Sequence, residues 1–552
     1  MVSGLSKIGE RWRLGLRCLC VALVCLPSTI LSAKEPLAAV RLAGLNRLLA
    51  DIDALGEESG FPEFPRLARS VLQIAGDLKG IDRDRPWLVE LALPEEGQRD
   101  PGLRLSLPVS SEADLRVTLD RLGFEFAEVA GGPLRLRRRG ESGERAPSAR
   151  FDGDWLRLSN RAESLDFPDW AWLQSPLTAD ADLHIDLQRL PPGLLENLIQ
   201  QLREEGRRDR RRREGEREAE HQFRQRASLL LEDAVIAVFH ELESVDVQLN
   251  IAPDNPDGQP LGLQVQAAMR TRAGGSVAAA LEQLPVEQRS LQAIEEAALT
   301  LATALNLPGE VRNLLQEGVE LIRQTNEGAL LNAPPRYQRA VSGLLNSLSQ
   351  TFAAGHLEGL LAFEGVDERM VLVAGGCLAS GGEWAHALEL LLPEAEKSDD
   401  VDEVQLGVSE INRIVFHALT TRRARAADEM LYGPRPKLFV GAGEDQLWVA
   451  VGGDGALQIL PEYAGGAAEA VREPRELLLL ELHLLPWLPL LERNGRIGGT
   501  ATRVRELFGD SRADQLRLTV STRPAELHAQ LTLDRTYLKL LAAIIKERAR
   551  LF

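Results

Sequence analysis

The side chains able to do chemistry are few and dispersed. Eight histidines (His184, His221, His240, His356, His386, His417, His483 and His528) are scattered, and none forms an H-E-x-x-H or Cys/His pair. His240 precedes Glu241, but the second histidine of a metal helix is missing. His184 and His483 fall on expected strands, where a hydrogen-bonded core or sheet-face histidine is the ordinary outcome. Cys377 follows Gly375 and Gly376 near an expected strand end, with His386 nine residues on. A thiol nucleophile is one reading of that pair. A small buried hydrophobe is the commoner fate of a free cysteine with no activating neighbours.

Loops give no stronger signal. Asp254-Asn-Pro-Asp257-Gly258 has the composition of a calcium loop but lacks EF-hand spacing and the terminal glutamate, and the same residues make a hairpin turn. Gly441-Ala-Gly443 and Gly452-Gly-Asp-Gly455 precede no expected helix and carry no Lys-Ser/Thr pair, so they read as β-turns rather than phosphate cradles. A G-x-S-x-G elbow is missing too. Trp87, Trp155, Trp170, Trp172, Trp384, Trp448 and Trp487 could line a groove, yet aromatic residues at the starts of elements usually anchor cores. No catalytic, metal or cofactor residue is therefore assigned from sequence.

The ends and the charge say more. Lys7, Arg11, Arg13 and Arg17 precede an apolar run from Cys18 to Leu31 and the small pair Ser32 and Ala33, which is the layout of a secretory signal peptide over 1–33. The run is short for a spanning helix and Pro27 interrupts it. Cleavage is expected after Ala33, and an uncleaved anchor is the alternative because Leu31 is bulky for its place. Val24 before Cys25 argues against a lipobox. Cleavage would take the formal charge from −18 to −21 and leave Cys377 as the one cysteine, so no internal disulfide can form. So acidic a chain repels nucleic acid and anionic lipid. No second membrane span is expected, since Glu481, His483, Pro486 and Pro489 break the richest later apolar run.

These residues must be held by some fold, and the periodicities alternate between helix and strand. Leucines at helical spacing over 45–55 and 67–78 predict a helical hairpin. Strands are expected at 87–93, 103–109, 134–138, 154–159 and 181–187, with a helix capped by Ser111. A hairpin over 245–251 and 261–267 and a helix over 275–284 follow. The order then recurs, with helices over 291–331 and 337–352, strands over 357–363 and 370–374, and a helix over 383–392. Strands at 404–408, 437–440, 446–451 and 477–482, a hairpin over 516–520 and 527–533, and a helix over 537–548 complete it. The reading is α+β, in two diverged tandem copies, 34–285 and 286–552, each a mainly antiparallel sheet with helices packed on one face. Trp155 and Trp448 would hold comparable places in the two copies.

Between 194 and 226 lies a charged helix, with ten arginines and seven acidic residues interleaved over 202–226. Pairs such as Glu204 with Arg208 and Glu220 with Arg224 stand at the spacing that supports an exposed helix. The net of +3 is too small for a nucleic-acid site.

Gly80-Ile-Asp-Arg-Asp-Arg-Pro-Trp87, the strand end Pro108-Val109, the capped acidic helix and Gly153-Asp-Trp-Leu-Arg-Leu-Ser159 resemble a family of exported proteins of unknown function from planctomycete-type bacteria. The resemblance runs over much of the chain after the leader and is strongest in the first half. It implies export and the two-half architecture, and no activity. The expectation is an exported, periplasmic or cell-envelope, non-catalytic binding or structural module with protein partners. A carrier of a hydrophobic ligand such as lipid is the alternative, and an exported hydrolase the third reading.

Overall fold

Runs that alternate Leu or Val with Arg, Ser and Thr pair edge to edge, and with the helices between them they make an α+β protein whose described ladders are antiparallel. The computed structural model describes residues 36–58, 63–93, 102–129, 133–140, 146–161, 165, 175–251, 261–286, 297–366, 369–422, 426–464, 476–493, 498–509 and 514–540. The leader, Asp254–Gly258, Trp170 and Trp172 lie outside them. Among the described residues no helix is long and apolar enough to cross a membrane. The chain clusters into two compact units, 1–53 with 63–209 and 242–248, and 54–62 with 210–241 and 249–552.

In the first unit the strands are β1 (Pro36–Leu42), β2 (Trp87–Ala92), β3 (Gly102–Pro108), β4 (Phe124–Ala127), β5 (Leu134–Arg138), β6 (Ser148–Asp152), β7 (Trp155–Ser159) and β8 (Ala181–Asp186). Their ladders run β8-β1-β2-β3-β7-β6-β5-β4. Helix Glu112–Arg121 begins as its sequence predicts, with Ser111 Oγ accepting from Asp114 N at 3.3 Å. Its Leu115 packs with Leu136, Ala149 and Leu156 on one sheet face. Alternation puts Arg104, Ser106, Arg157 and Ser159 on the opposite face.

Strand β9 (Leu242–Ile251) runs from the first unit into the second, which contains β10 (Leu261–Thr271), β11 (Leu299–Asn306), β12 (His356–Val366), β13 (Arg369–Cys377), β14 (Val401–Ile411), β15 (Ile414–Thr421), β16 (Lys437–Ala442), β17 (Gln446–Gly452), β18 (Glu476–His483), β19 (Gln515–Arg523) and β20 (Glu526–Asp534). Here the ladders run β10-β20-β19-β18-β11-β12-β13-β17-β16-β15-β14. Strand β10 closes the first half in sequence, yet it belongs with this unit because it pairs along its length with β20.

Three expectations are corrected. Of the helix expected over 291–331, residues 291–296 lie outside the described residues and the described part is helical from Gly309; Leu299–Asn306 is a strand held between β12 and β18, and Pro308 separates the two. Helices cover both faces of the β13-β17-β16 region rather than one. Ala456 and Leu460 of helix Ala456–Ala464 join Phe439, Trp448 and Ala450, while Leu388 and Leu392 of helix Gly382–Ala395 join Val440, Leu447 and Val449. The two faces are distinct because those strand residues alternate. Trp448 is fully buried against Gly375 directly across the ladder, where a Cβ would stand 2.4 Å from the indole. Trp155 instead stacks under the Arg85 guanidinium at 4.5 Å, so the two tryptophans are not equivalent; Leu156 is the residue buried like Trp448.

The third correction concerns the charged helix 194–226. Two helices, Pro192–Asp209 and Glu218–Glu241, flank a break at 210–217 that contains Gly215 at φ 76°. Glu216 organises the break, accepting from Arg224 Nε at 2.7 Å and Nη2 at 2.8 Å and from Arg213 N at 2.9 Å, bonds that hold its carboxyl down at about 2. Arg210 pairs with Glu232 with both side chains largely buried, and Arg226 pairs with Glu317. The charges pair across the turn rather than along one solvated helix. Phe223 then packs on Gly318 of helix Gly309–Leu331.

Candidate functional site

Helix Pro335–Ala354 ends at Gly355, and the chain turns directly into β12. His356 and Glu358 are two apart on that strand and so share a face. Strand β13 returns antiparallel, Gly376 opposite Gly359, which brings Cys377 alongside Glu358. His356 Nε2 lies 3.2 Å from Glu358 Oε2, and the Cys377 thiol donates to the same oxygen at 3.5 Å. The three donor atoms lie within 4.8 Å of one another. Glu358 is 3% exposed, whereas the His356 side chain is 33% exposed, so the cluster has a buried carboxylate and a solvent-facing imidazole. Cys377 packs against the core containing Trp448, whose indole N–H donates to Gln446 Oε1 at 3.0 Å; Gln446 pairs with Cys377 across the ladder.

A shallow cavity of about 210 Å³ adjoins this end of the sheet, lined among others by Leu284, Asn306, Arg312 and Gly355. Asn306 is the ladder partner of His356. An imidazole, a carboxylate and a thiol so close together could hold a metal ion or share a proton.

A second cluster in the same unit has its groups already matched. His483 Nδ1 lies 3.0 Å from Asp514 Oδ1 and its Nε2 3.3 Å from Glu481 Oε1. Asp514 Oδ2 also accepts from Leu485 N at 2.6 Å, and Asp534 Oδ2 from Gln515 N at 2.9 Å. The two carboxylates push the imidazole up to about 9, so it is a buried cation at neutral pH. Burial would raise Glu481, but bonds from His483 and Gln515 outweigh it and its carboxyl sits below the ordinary value. Asp534 is raised by burial.

The first unit holds buried ion pairs too. Arg41 on β1 bonds Asp182 on β8 from Nε at 3.1 Å to each carboxylate oxygen, and both side chains are buried. Glu90 faces Arg104 across β2 and β3 at 3.5 Å, and burial raises its carboxyl. Asp51 is pushed up to about 6 by burial and by the adjacent Asp180.

The histidines and glycines flagged from sequence find mostly structural places. His184 Nδ1 lies 2.7 Å from Asp246, and His221 is 3.2 Å from Arg224 Nη2. His417 is buried, and its Nδ1 accepts from Gly407 N at 3.1 Å, the bond of a neutral ring; burial also lowers it. His528 pairs with Glu526 at 2.8 Å. Gly443 makes the tight turn between β16 and β17, its N–H donating to Gln446 O at 2.8 Å. Gly455 does precede a helix, contrary to expectation, but Asp454 beside it binds Lys437 Nζ at 2.5 Å, an acidic group where a phosphate cradle needs none. His386 lies on helix Gly382–Ala395, and the groups clustered with Cys377 are on β12. Glu358, which Cys377 meets, and His356 beside it were missed from sequence, although the antiparallel pairing of β12 with β13 returns Cys377 to them.

No family model matches the chain, and no curated protein or solved structure was found similar to it.

Proposed function

We propose that this chain is an exported, non-catalytic binding or structural module of the cell envelope, built from two diverged copies of one α+β plan, 34–285 and 286–552. The basic and apolar leader over 1–33 supports export. Duplication is supported by strand order. In sequence order from β1 and from β11, both halves give the eighth, first, second, third, seventh, sixth, fifth and fourth strands. An experimental strand map that differed between the halves would end that part of the reading.

The observation that carries the binding role is the ladder β10-β20-β19. Leu263, Val265 and Met269, with Leu527, Leu531 and Leu518, lie on one face and remain half-buried, while Gln264, Gln266, Thr532 and Arg517 line the other. Helix Ser276–Gln283 lies against β19 and β20 without closing that face. A partly open apolar sheet surface of this kind suits contact with a partner protein.

A diazirine analogue of methionine at Met269, photolysed in the producing cell, tests this role. The expected product is a discrete conjugate with another protein. Conjugates with lipid would establish the carrier reading instead, and exclusively internal cross-links would mean that the chain closes the face itself and the proposal fails.

A further inference from the structure

We propose that His356, Glu358 and Cys377 form a binding site for one zinc ion. Zinc takes imidazole, carboxylate and thiolate together, at about 2.0–2.1, 2.0–2.2 and 2.3 Å. A tetrahedral ion with those bond lengths sets its N and O donors about 3.4 Å apart and its S and O donors about 3.6 Å apart. The observed separations are 3.2 and 3.5 Å, with the third pair inside 4.8 Å. The strands bring the three donors together, because His356 and Glu358 share a face of β12 and Cys377 stands beside Glu358 on β13.

Charge points the same way. A carboxylate as buried as Glu358 is costly beside a second potential anion, the Cys377 sulfur. A dication neutralises both. The reaction is a substitution in which Zn²⁺ displaces the thiol proton, leaving a Zn–thiolate bond and one proton released to solvent. Affinity therefore rises with pH until the thiol is fully ionised. Three protein ligands would leave the fourth tetrahedral position to water.

The test uses the full chain with zinc alone as probe. After equilibration and gel filtration, the unaltered protein is expected to retain one equivalent of zinc more than Cys377→Ser, the difference removing any contribution from Cys18, Cys20 and Cys25. Zinc should also slow iodoacetamide modification of Cys377, read by peptide mass, at least tenfold, with EDTA restoring the rate. His356→Ala should raise the zinc concentration needed for half-protection by roughly 100-fold, since even outer-shell losses cost 10- to 100-fold. Equal zinc in the unaltered protein and Cys377→Ser, or a Cys377 modification rate indifferent to zinc, would overturn the proposal and leave a hydrogen-bonded cluster. The modification arm needs no substitution and stands if a variant fails to fold.

Discussion

Replacing His483 with alanine is expected to cost about 3 to 5 kcal/mol of stability at neutral pH, the usual penalty for stranding a buried charge by removing its partner. Asp514 and Glu481 are both largely buried and both bonded to this ring. The unaltered protein should carry a matching pH signature. The imidazole is raised from its ordinary 6.5 to about 9. A group raised on folding stabilises fully below its unfolded pKa, and that contribution is lost as pH rises through the folded one. The interval between the two values corresponds to about 3 kcal/mol. Denaturant unfolding between pH 6 and 10 should show stability falling from the ordinary 6.5 up to about 9 and levelling above it, and the fall should be missing in His483→Ala. A variant as stable as the parent, or with the same pH slope, would show that the cluster is not an ion network.

The second large effect is expected at Asp182. Arg41 and Asp182 meet across β1 and β8 with both side chains buried, and Asp182→Ala should destabilise by about 3 to 5 kcal/mol. Arg41 Nη1 keeps its bond to Ser175 O at 2.7 Å, which holds the guanidinium in place after the carboxylate is gone. The double variant Arg41→Met, Asp182→Leu should recover most of the loss, because buried pairs often replace with little net cost. Chemical denaturation of the two single variants and the double closes the cycle. Additive losses would show that the two charges are not coupled.

Where one local rule decided an element, the sequence was readable. Ser111 started its helix, period-two leucines marked β3 and β7, and the hairpin of β19 and β20 followed from its alternation. Strands β1 and β11, Pro-Leu-Ala-Ala-Val-Arg-Leu and Leu-Thr-Leu-Ala-Thr-Ala-Leu-Asn, were not. Short runs rich in alanine and leucine suit either period, and both become strands because a partner pairs on each side. Missing both also hid how closely the halves agree in order. The charged segment misled for another reason: helical spacing offered pairs within one helix, whereas Arg224 reaches back across the break to Glu216. The His356, Glu358 and Cys377 cluster was invisible to motif search because its spacing is set by hairpin register rather than by a fixed interval along the chain.

The module reading is tested most directly by the native mass of the protein isolated from the envelope fraction of its producing cell. The expected species is a chain beginning near Lys34, carrying no lipid and at most a bound metal ion. A lipid-sized adduct on most molecules, or a mass retaining Met1, would contradict it.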